Sequence, residues 1–282
     1  MSYPLPIVRT VAELRSKVAS WHSAHRRVAV VPTMGALHAG HLSLVGHGRE
    51  LADRVVATIF VNPKQFGPSE DLDRYPRTEA EDAMRLADAG CDLLFAPTVA
   101  EMYPAGFATS ISVAGLGDRL CGAARPGHFD GVATVVTKLL MQVRPELALF
   151  GEKDWQQLTI IRRLVRDLDI PVDIRGGAIV RDADGLALSS RNIYLSADER
   201  AAALALPRAL VAARAAILGG MPVAAAIDRV RAALATGFAS IDYVELAGAD
   251  DLEPLAVADR PARLLAAAWM GKTRLIDNLA VG

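Results

Sequence analysis

Strand-like and helix-like runs alternate through the first two-thirds of this chain, and that alternation restricts the fold more than any other feature. VAVVP (28–32) is β-branched, HLSLVGHGRELA (41–52) has helical periodicity, and VVATIFV (55–61) reads as a strand buried on both faces. TEAEDAMRLADAG (78–90) predicts a helix with acids in its first turn and a closing glycine, which suits the helix dipole and the C-cap. CDLLFAP (91–97), ATSISV (108–113), LALFG (147–151) and PVDIRGGAIV (171–180) predict further strands. GVATVVTKLLMQV (131–143) and DWQQLTIIRRLVRDL (154–168) predict helices, the second with Asp154 as its N-cap. Parallel strands need helical crossovers between them, so the pattern predicts an α/β fold with a doubly wound, mostly parallel sheet. Ligands of such sheets sit outside the carboxyl ends of the strands, and the unusual loops of this chain follow strands.

The composition shifts after about residue 196. SADERAAALALPRALVAARAAIL (196–218) and PVAAAIDRVRAAL (222–234) are alanine-rich helices, and IDYVELA (241–247), ARLLAAAWM (262–270) and KTRLIDNLAV (272–281) read as antiparallel strands. These predict a smaller α+β domain over 181–282 behind a larger domain over 1–180, with the junction within 175–195. The 282 residues are 52% hydrophobic and 22% charged, enough for a substantial core. Thirty-one basic and 32 acidic residues leave a net charge of −1, which argues against nucleic acid or an anionic membrane as the main partner. The most apolar stretch, from Ala201 to Leu218, is interrupted by Pro207, Arg208 and Arg214 and reads as a soluble helix. Cys91 and Cys121 form no CxxC pair, and no secretory signal pattern opens the chain, so reduced thiols in a cytoplasmic protein are expected.

LHAGH (37–41) places His38 and His41 around Gly40, between a strand and a helix. Backbone N–H groups and the dipole at such a helix start favour an anion, two imidazoles in one turn can point at the same phosphate, and glycine removes a Cβ from the nucleotide's path. A pair of surface histidines is the plainer alternative. At the start of the smaller domain, LALSSRNIYL (186–195) offers Ser189, Ser190 and Arg191 in succession, two hydroxyls and a forked guanidinium that suit a phosphate, or else a solvated loop. FGEKDWQQL (150–158) puts Lys153 and Asp154 at a helix start, with Gln157 one turn on. FVNPKQF (60–66) supplies the neutral amides of Asn62 and Gln65 after a strand, and RPGHFDGVATVVTKL (125–139) puts Arg125, His128 and Asp130 before a helix. The loop 63–75 is either a lid or a static surface loop.

Taken together, PTMGALHAGHLSLV, FVNPKQF followed by DLDRYPRT, RPGHFDGVATVVTKL, FGEKDWQQL, LALSSRNIYL, and DYVEL with GKTRLIDN resemble the pantoate–β-alanine ligase family. That family belongs to the HIGH-motif nucleotidylyltransferases, relatives of class I aminoacyl-tRNA synthetases, and the likeness runs from about residue 7 to 279. It implies a Rossmann-like nucleotidylyltransferase domain and a two-step ligation. ATP and (R)-pantoate give pantoyl adenylate and pyrophosphate, and β-alanine then gives pantothenate and AMP. It implies that His38 and His41 bind the nucleotide phosphates, and that Lys153, Ser189, Ser190 and Arg191 hold the β- and γ-phosphates. Met34, Gly40, Gly151, Asp154 and Leu188 complete the ATP set. Gln65 and Gln157 hold the pantoate hydroxyls, with Met34 in the same pocket and Asn62 supporting it. Mg²⁺ accompanies ATP, with Asp82, next to Glu81, as a water-mediated ligand. A homodimer built through the N-terminal domain is also implied. Two positions depart from the family pattern: Leu188 stands where a methionine is usual, and Lys64 where an uncharged residue is usual. A HIGH-motif transferase with a different acceptor is the alternative enzyme. A non-catalytic nucleotide-binding regulator would have lost some of His38, His41, Lys153, Ser189, Ser190 and Arg191, and all six are present.

Overall fold

The computed structural model of the chain describes residues 5–68 and 70–282. Strands β1 (Ile7–Val8), β2 (Val28–Thr33), β3 (Arg54–Ile59), β4 (Leu93–Phe95), β5 (Leu147–Gly151) and β6 (Asp173–Gly177) form one parallel sheet in the order β1-β4-β3-β2-β5-β6. Between them run helices α1 (Val11–Ser23), α2 (Ala39–Leu51), α3 (Glu79–Asp88), the short α4 (Val99–Met102) and α5 (Cys121–Ala124), then α6 (His128–Val143) and α7 (Trp155–Asp167). Successive side chains of a strand face opposite sides of the sheet. Val28 and Val30 of β2 accordingly join Val56, Ala148 and Phe150 beneath α1, α6 and α7. Ala29 and Val31 join Val55, Ala57, Leu147 and Leu149 beneath α2 and α3. Both faces are covered, which is why these strands read as unbroken apolar runs rather than alternating ones.

The expected strand over 108–113 does not form. The edge beside β4 is taken instead by β1, whose Ile7 and Val8 align with Leu94 and Phe95. The 108–113 segment runs over the surface without a strand partner, with Ile111 and Val113 half-buried against the core and the Ile111 N–H donating to Thr134 Oγ1 at 2.9 Å. Helix α1, for which no expectation was made, starts at a reciprocal capping box between Thr10 and Glu13.

A second, antiparallel sheet has the order β7 (Ser240–Gly248), β8 (Ala262–Met270), β9 (Thr273–Val281). Helices α8 (Ala197–Ala203), α9 (Ala205–Leu218) and α10 (Val223–Leu234) precede it in the chain. By length and composition, Ala197–Leu218 is apolar enough to cross a membrane. In the fold it is two helices meeting at Leu204, and Leu206, Leu210, Ala213 and Ile217 pack with Val244, Leu264 and Ala266 of the sheet.

The two sheets meet through polar ties as well as apolar contacts. Asp277 of β9, 2% exposed, binds Arg181 through both oxygens at 2.7 and 2.8 Å. Its neighbour Asn278 donates to the carbonyls of Glu152 and Lys153 at 2.9 and 3.0 Å. Arg263 of β8 pairs with Glu152 at 2.8 Å.

Candidate active site

The strand order reverses between β2 and β5, and a cavity of about 230 Å³ opens there, at the carboxyl ends of the strands. Every residue that the family resemblance assigns to ATP or pantoate lines it, whereas Asp82, Glu81 and Asp130 do not. Met34, His38, Gly40 and His41 come from the turn after β2, and Asn62 and Gln65 from the segment after β3. Gly151, Lys153, Asp154 and Gln157 come from the end of β5 and the start of α7. Leu188, Ser189, Ser190 and Arg191 close the side beyond β6. Arg125 and His128 join them, as do the apolar side chains of Val132, Val135, Val136 and Leu139 on α6.

His38 caps α2 and His41 is its third residue. The Gly40 N–H donates to His38 Nδ1 at 3.2 Å, and the His38 N–H donates to His41 Nδ1 at 3.4 Å. The rings lie 4.1 Å apart. Burial pushes the pKa of His38 down to about 4, helped by the Lys153 ammonium. Burial and the charge of His38 push His41 down to about 3. Both rings are therefore neutral near pH 7. With Nδ1 occupied as an acceptor, each carries its proton on Nε2. Neither Nε2 has a protein partner among the described residues, so the helix start presents two N–H donors in addition to its own backbone. Gly40 is needed for a more local reason than nucleotide clearance, because a Cβ there would stand 3.0 Å from the His38 ring.

The turn carrying this pair is held from behind by α3. Asp82, 1% exposed, accepts the N–H groups of Ala36 and Leu37 at 2.9 and 2.8 Å and the Thr78 hydroxyl at 3.1 Å. Arg85 donates to the Leu37 carbonyl. Gly35 has φ +85°, open to glycine without strain, and its missing Cβ would sit 3.1 Å from Asp82 Oδ2. The metal role expected for Asp82 is thus replaced: its lone pairs serve the turn, and it does not reach the cavity. Neighbouring Glu81 pairs with Arg85 at 2.5 Å.

Asp154 occupies the N-cap position of α7 but makes no side-chain capping bond, contrary to expectation. Among the described residues its carboxylate makes no hydrogen bond or ion pair, and it faces the cavity beside Lys153. No group of three or more metal-ligating side chains gathers among the described residues. A single carboxylate with room beside it fits a Mg²⁺ ion that takes its other ligands from phosphate and water.

Asn62, 1% exposed, is fully satisfied: Tyr103 O–H and Lys64 N–H donate to its Oδ1 at 2.8 and 3.2 Å, and its Nδ2 donates to Gln65 Oε1 and the Gly131 carbonyl at 3.0 and 3.1 Å. That leaves the Gln65 amide with its NH₂ turned to Met34 Sδ at 3.1 Å, a weak acceptor that a ligand oxygen can replace. Gly131 permits this approach, since a Cβ there would stand 2.2 Å from the Lys64 carbonyl oxygen. The Lys64 ammonium lies 5.4 and 5.3 Å from the Tyr103 and Phe107 rings and not in the cavity. His128 donates from Nδ1 to the Gln65 carbonyl at 2.7 Å and accepts from Arg125 Nη1 at 2.9 Å, and burial and Arg125 push its pKa down to about 4.

The loop after Gln65 folds over the cavity, with Phe66 and Tyr75 among its lining; Ser69 lies outside the described residues. Sequence reasoning passed over Glu70, Asp71, Tyr75 and Tyr103. Their roles depend on contacts with Arg125, Arg191 and Asn62 that no local pattern announces.

Paired imidazoles, two hydroxyls, a lysine and an arginine gathered at the switch point of a doubly wound sheet make an α/β protein with an anion-binding cavity of the kind that suits a nucleotide. The family model described as pantoate-beta-alanine ligase matches residues 6–280. The pantothenate synthetase of Paramagnetospirillum magneticum is 59% identical over 100% of this chain and 99% of its own, and that of Chelativorans sp. is 60% identical over 98% of each. Among solved structures, the pantothenate synthetase of Thermus thermophilus superposes with a TM-score of 0.93 at 49% identity, covering 98% of this chain and 99% of that one. The Francisella tularensis pantoate-beta-alanine ligase, complexed with a β,γ-ATP ligand and β-alanine, gives 0.81 at 32% identity, covering 98% and 97%. This chain belongs to the pantoate–β-alanine ligase family.

Proposed function

We propose that this protein joins (R)-pantoate to β-alanine at the expense of ATP, releasing AMP and pyrophosphate. The observation that carries the reading is the neutral His38–His41 pair, its Nε2–H groups free in a cavity that also holds Lys153, Ser189, Ser190 and Arg191. In the first step a pantoate carboxylate oxygen bonds to the α-phosphorus as the bond to the bridging oxygen of pyrophosphate breaks. Charge builds on the phosphoryl oxygens, and preorganised donors stabilise it with little rearrangement. His38 and His41 serve the α-phosphate side, and Lys153, Ser189, Ser190 and Arg191 serve the leaving pyrophosphate. Met34, Gly40, Gly151 and Leu188 shape the nucleotide's surroundings, with Leu188 keeping most of the volume of the usual methionine. Gln65 and Gln157 bind pantoate hydroxyls, Asn62 orients Gln65, and the valines of α6 cover its apolar part. Mg²⁺ bound to the phosphates and Asp154 would neutralise charge between the phosphate oxygens. In the second step the amine nitrogen of β-alanine bonds to the acyl carbon, AMP leaves with the bonding electrons, and the amine's proton goes to water.

The reading extends to a larger nucleotide- and pantoate-binding domain over 1–180, a smaller domain over 181–282 carrying the Ser189–Arg191 loop, a homodimer, and a cytoplasmic location. ATP–pyrophosphate exchange with Mg²⁺, without β-alanine, tests it. Exchange that depends on pantoate identifies both the acid and the first step, and exchange supported only by another carboxylate overturns the assignment.

A further inference from the structure

Two adjacent carboxylates of the loop over the cavity are each bound to an arginine on a different wall. Asp71 accepts from Arg191 Nε and Nη2, both at 2.9 Å, in the forked geometry that fixes a guanidinium plane. Glu70 accepts from Arg125 Nε and Nη2 at 2.7 and 2.5 Å. The four side chains are only 14 to 27% exposed, so solvent weakens these pairs less than it would at the surface. Their partners lead to different substrates. Arg191 belongs to the Ser-Ser-Arg segment, and with Nε and Nη2 engaged, its Nη1 has no protein partner among the described residues and remains available at the cavity. Arg125 grips His128, and both donate to the Gln65 carbonyl, which sets the residue facing the acid. The Tyr194 hydroxyl also donates to the Arg74 carbonyl at 2.9 Å, so the loop is tied to the phosphate side twice.

We infer that Glu70 and Asp71 are positioning residues: Asp71 orients Arg191 toward the nucleotide's terminal phosphates, Glu70 orients Arg125 and through it Gln65, and together they hold the loop over both substrates. The inference rests on the ligation proposed above for the identity of the acid, but not for the nucleotide. Each carboxylate acts through one arginine, so the two effects are separable. A general loosening of the loop would move both substrates alike.

The test compares Asp71→Asn, Glu70→Gln and Asp71→Glu, each first checked for an unchanged melting curve. Calorimetry gives the affinity for ATP with Mg²⁺, and pyrophosphate exchange gives KM for ATP and for pantoate. Asp71→Asn is expected to weaken ATP about tenfold, the scale of one coupling in a charged network, and to leave KM for pantoate within about twofold. Glu70→Gln is expected to do the reverse, and Asp71→Glu to recover part of the ATP affinity. Two variants that weaken both substrates equally, or neither, overturn the inference. If the unaltered protein shows no pantoate-dependent exchange while the calorimetric difference persists, only the acid assignment falls.

Discussion

Replacing Asp82 tests whether the histidine turn is built by a buried carboxylate rather than by local sequence. In Asp82→Asn the side-chain oxygen can stay with Ala36 N–H and Thr78 O–H, but the new NH₂ then faces the Leu37 N–H, donor against donor. A hydrogen bond to a charged acceptor contributes about 1.5–3 kcal/mol, and a stranded buried donor costs about 1–3 kcal/mol. Losing the charge and stranding one amide therefore destabilises the fold by about 3 kcal/mol. At about 2–4 °C per kcal/mol for a chain of this size, the melting temperature falls by about 6–12 °C. Asp82→Ala strands both amides and is expected to fall further. Because His38 directly follows Leu37, pyrophosphate exchange should drop below the melting transition as well. The measurements are thermal melting by circular dichroism and exchange at 25 °C. A melting temperature within about 1 °C of the unaltered protein, with full exchange, would refute the reasoning and return Asp82 to the candidates for a metal role.

His41→Ala should lower turnover by about 10²–10³-fold, the cost of one preorganised donor, with the melting curve nearly unchanged; near-normal turnover removes His41 from the chemistry. Gln65→Ala and Gln157→Ala should chiefly raise KM for pantoate in steady-state assays, and an effect confined to ATP would reverse the assignment of the two subsites. Gly131→Ala should destabilise by about 1–3 kcal/mol and weaken pantoate handling, because its Cβ must push the Lys64 carbonyl, and with it Gln65, out of place. The buried histidines also set a pH dependence. The pKa of His38 and His128 is lowered to about 4 and that of His41 to about 3, so between these values and about 6.5 the unfolded chain binds more protons than the folded one. Their stabilising contribution is complete above pH 6.5 and is lost as pH falls toward 4. Melting temperature should decline across that window, with a shallower decline in His38→Gln, and a flat profile from pH 7 to 4 contradicts the burial argument.

The strands buried on both faces were legible because the parallel sheet leaves no polar side to interrupt them, and β2, β3, β4 and β5 lie where apolar runs predict. So was the meeting of His38, His41, Lys153, Ser189, Ser190 and Arg191 in one cavity, since histidines, hydroxyls and a lysine after strands have few structural uses in common. β1 escaped because two residues carry no period. Helix α1 escaped although Thr10 and Glu13 announce a capping box. The 108–113 run has strand composition, yet composition does not supply a free sheet edge. Asp82 was placed among the ligands because an acid near a nucleotide suggests a metal. Its partners are 45 and 46 residues away and are set by how α3 packs on α2, which no window of sequence encodes.

Asp277 and Asn278 have a consequence for the order of assembly. They reach back 96 residues to Arg181 and about 125 to the turn bearing Lys153, and they sit on the strand that follows every other described element in chain order. A ribosome has therefore delivered β1 to β6 and α1 to α10 before these loops gain their supports. Those connections are among the longest-range in the fold and belong to the late, slow class of contacts. Secondary structure can form early on such a nascent chain, while the turn bearing Lys153 waits for β9 before Asn278 can hold its carbonyls.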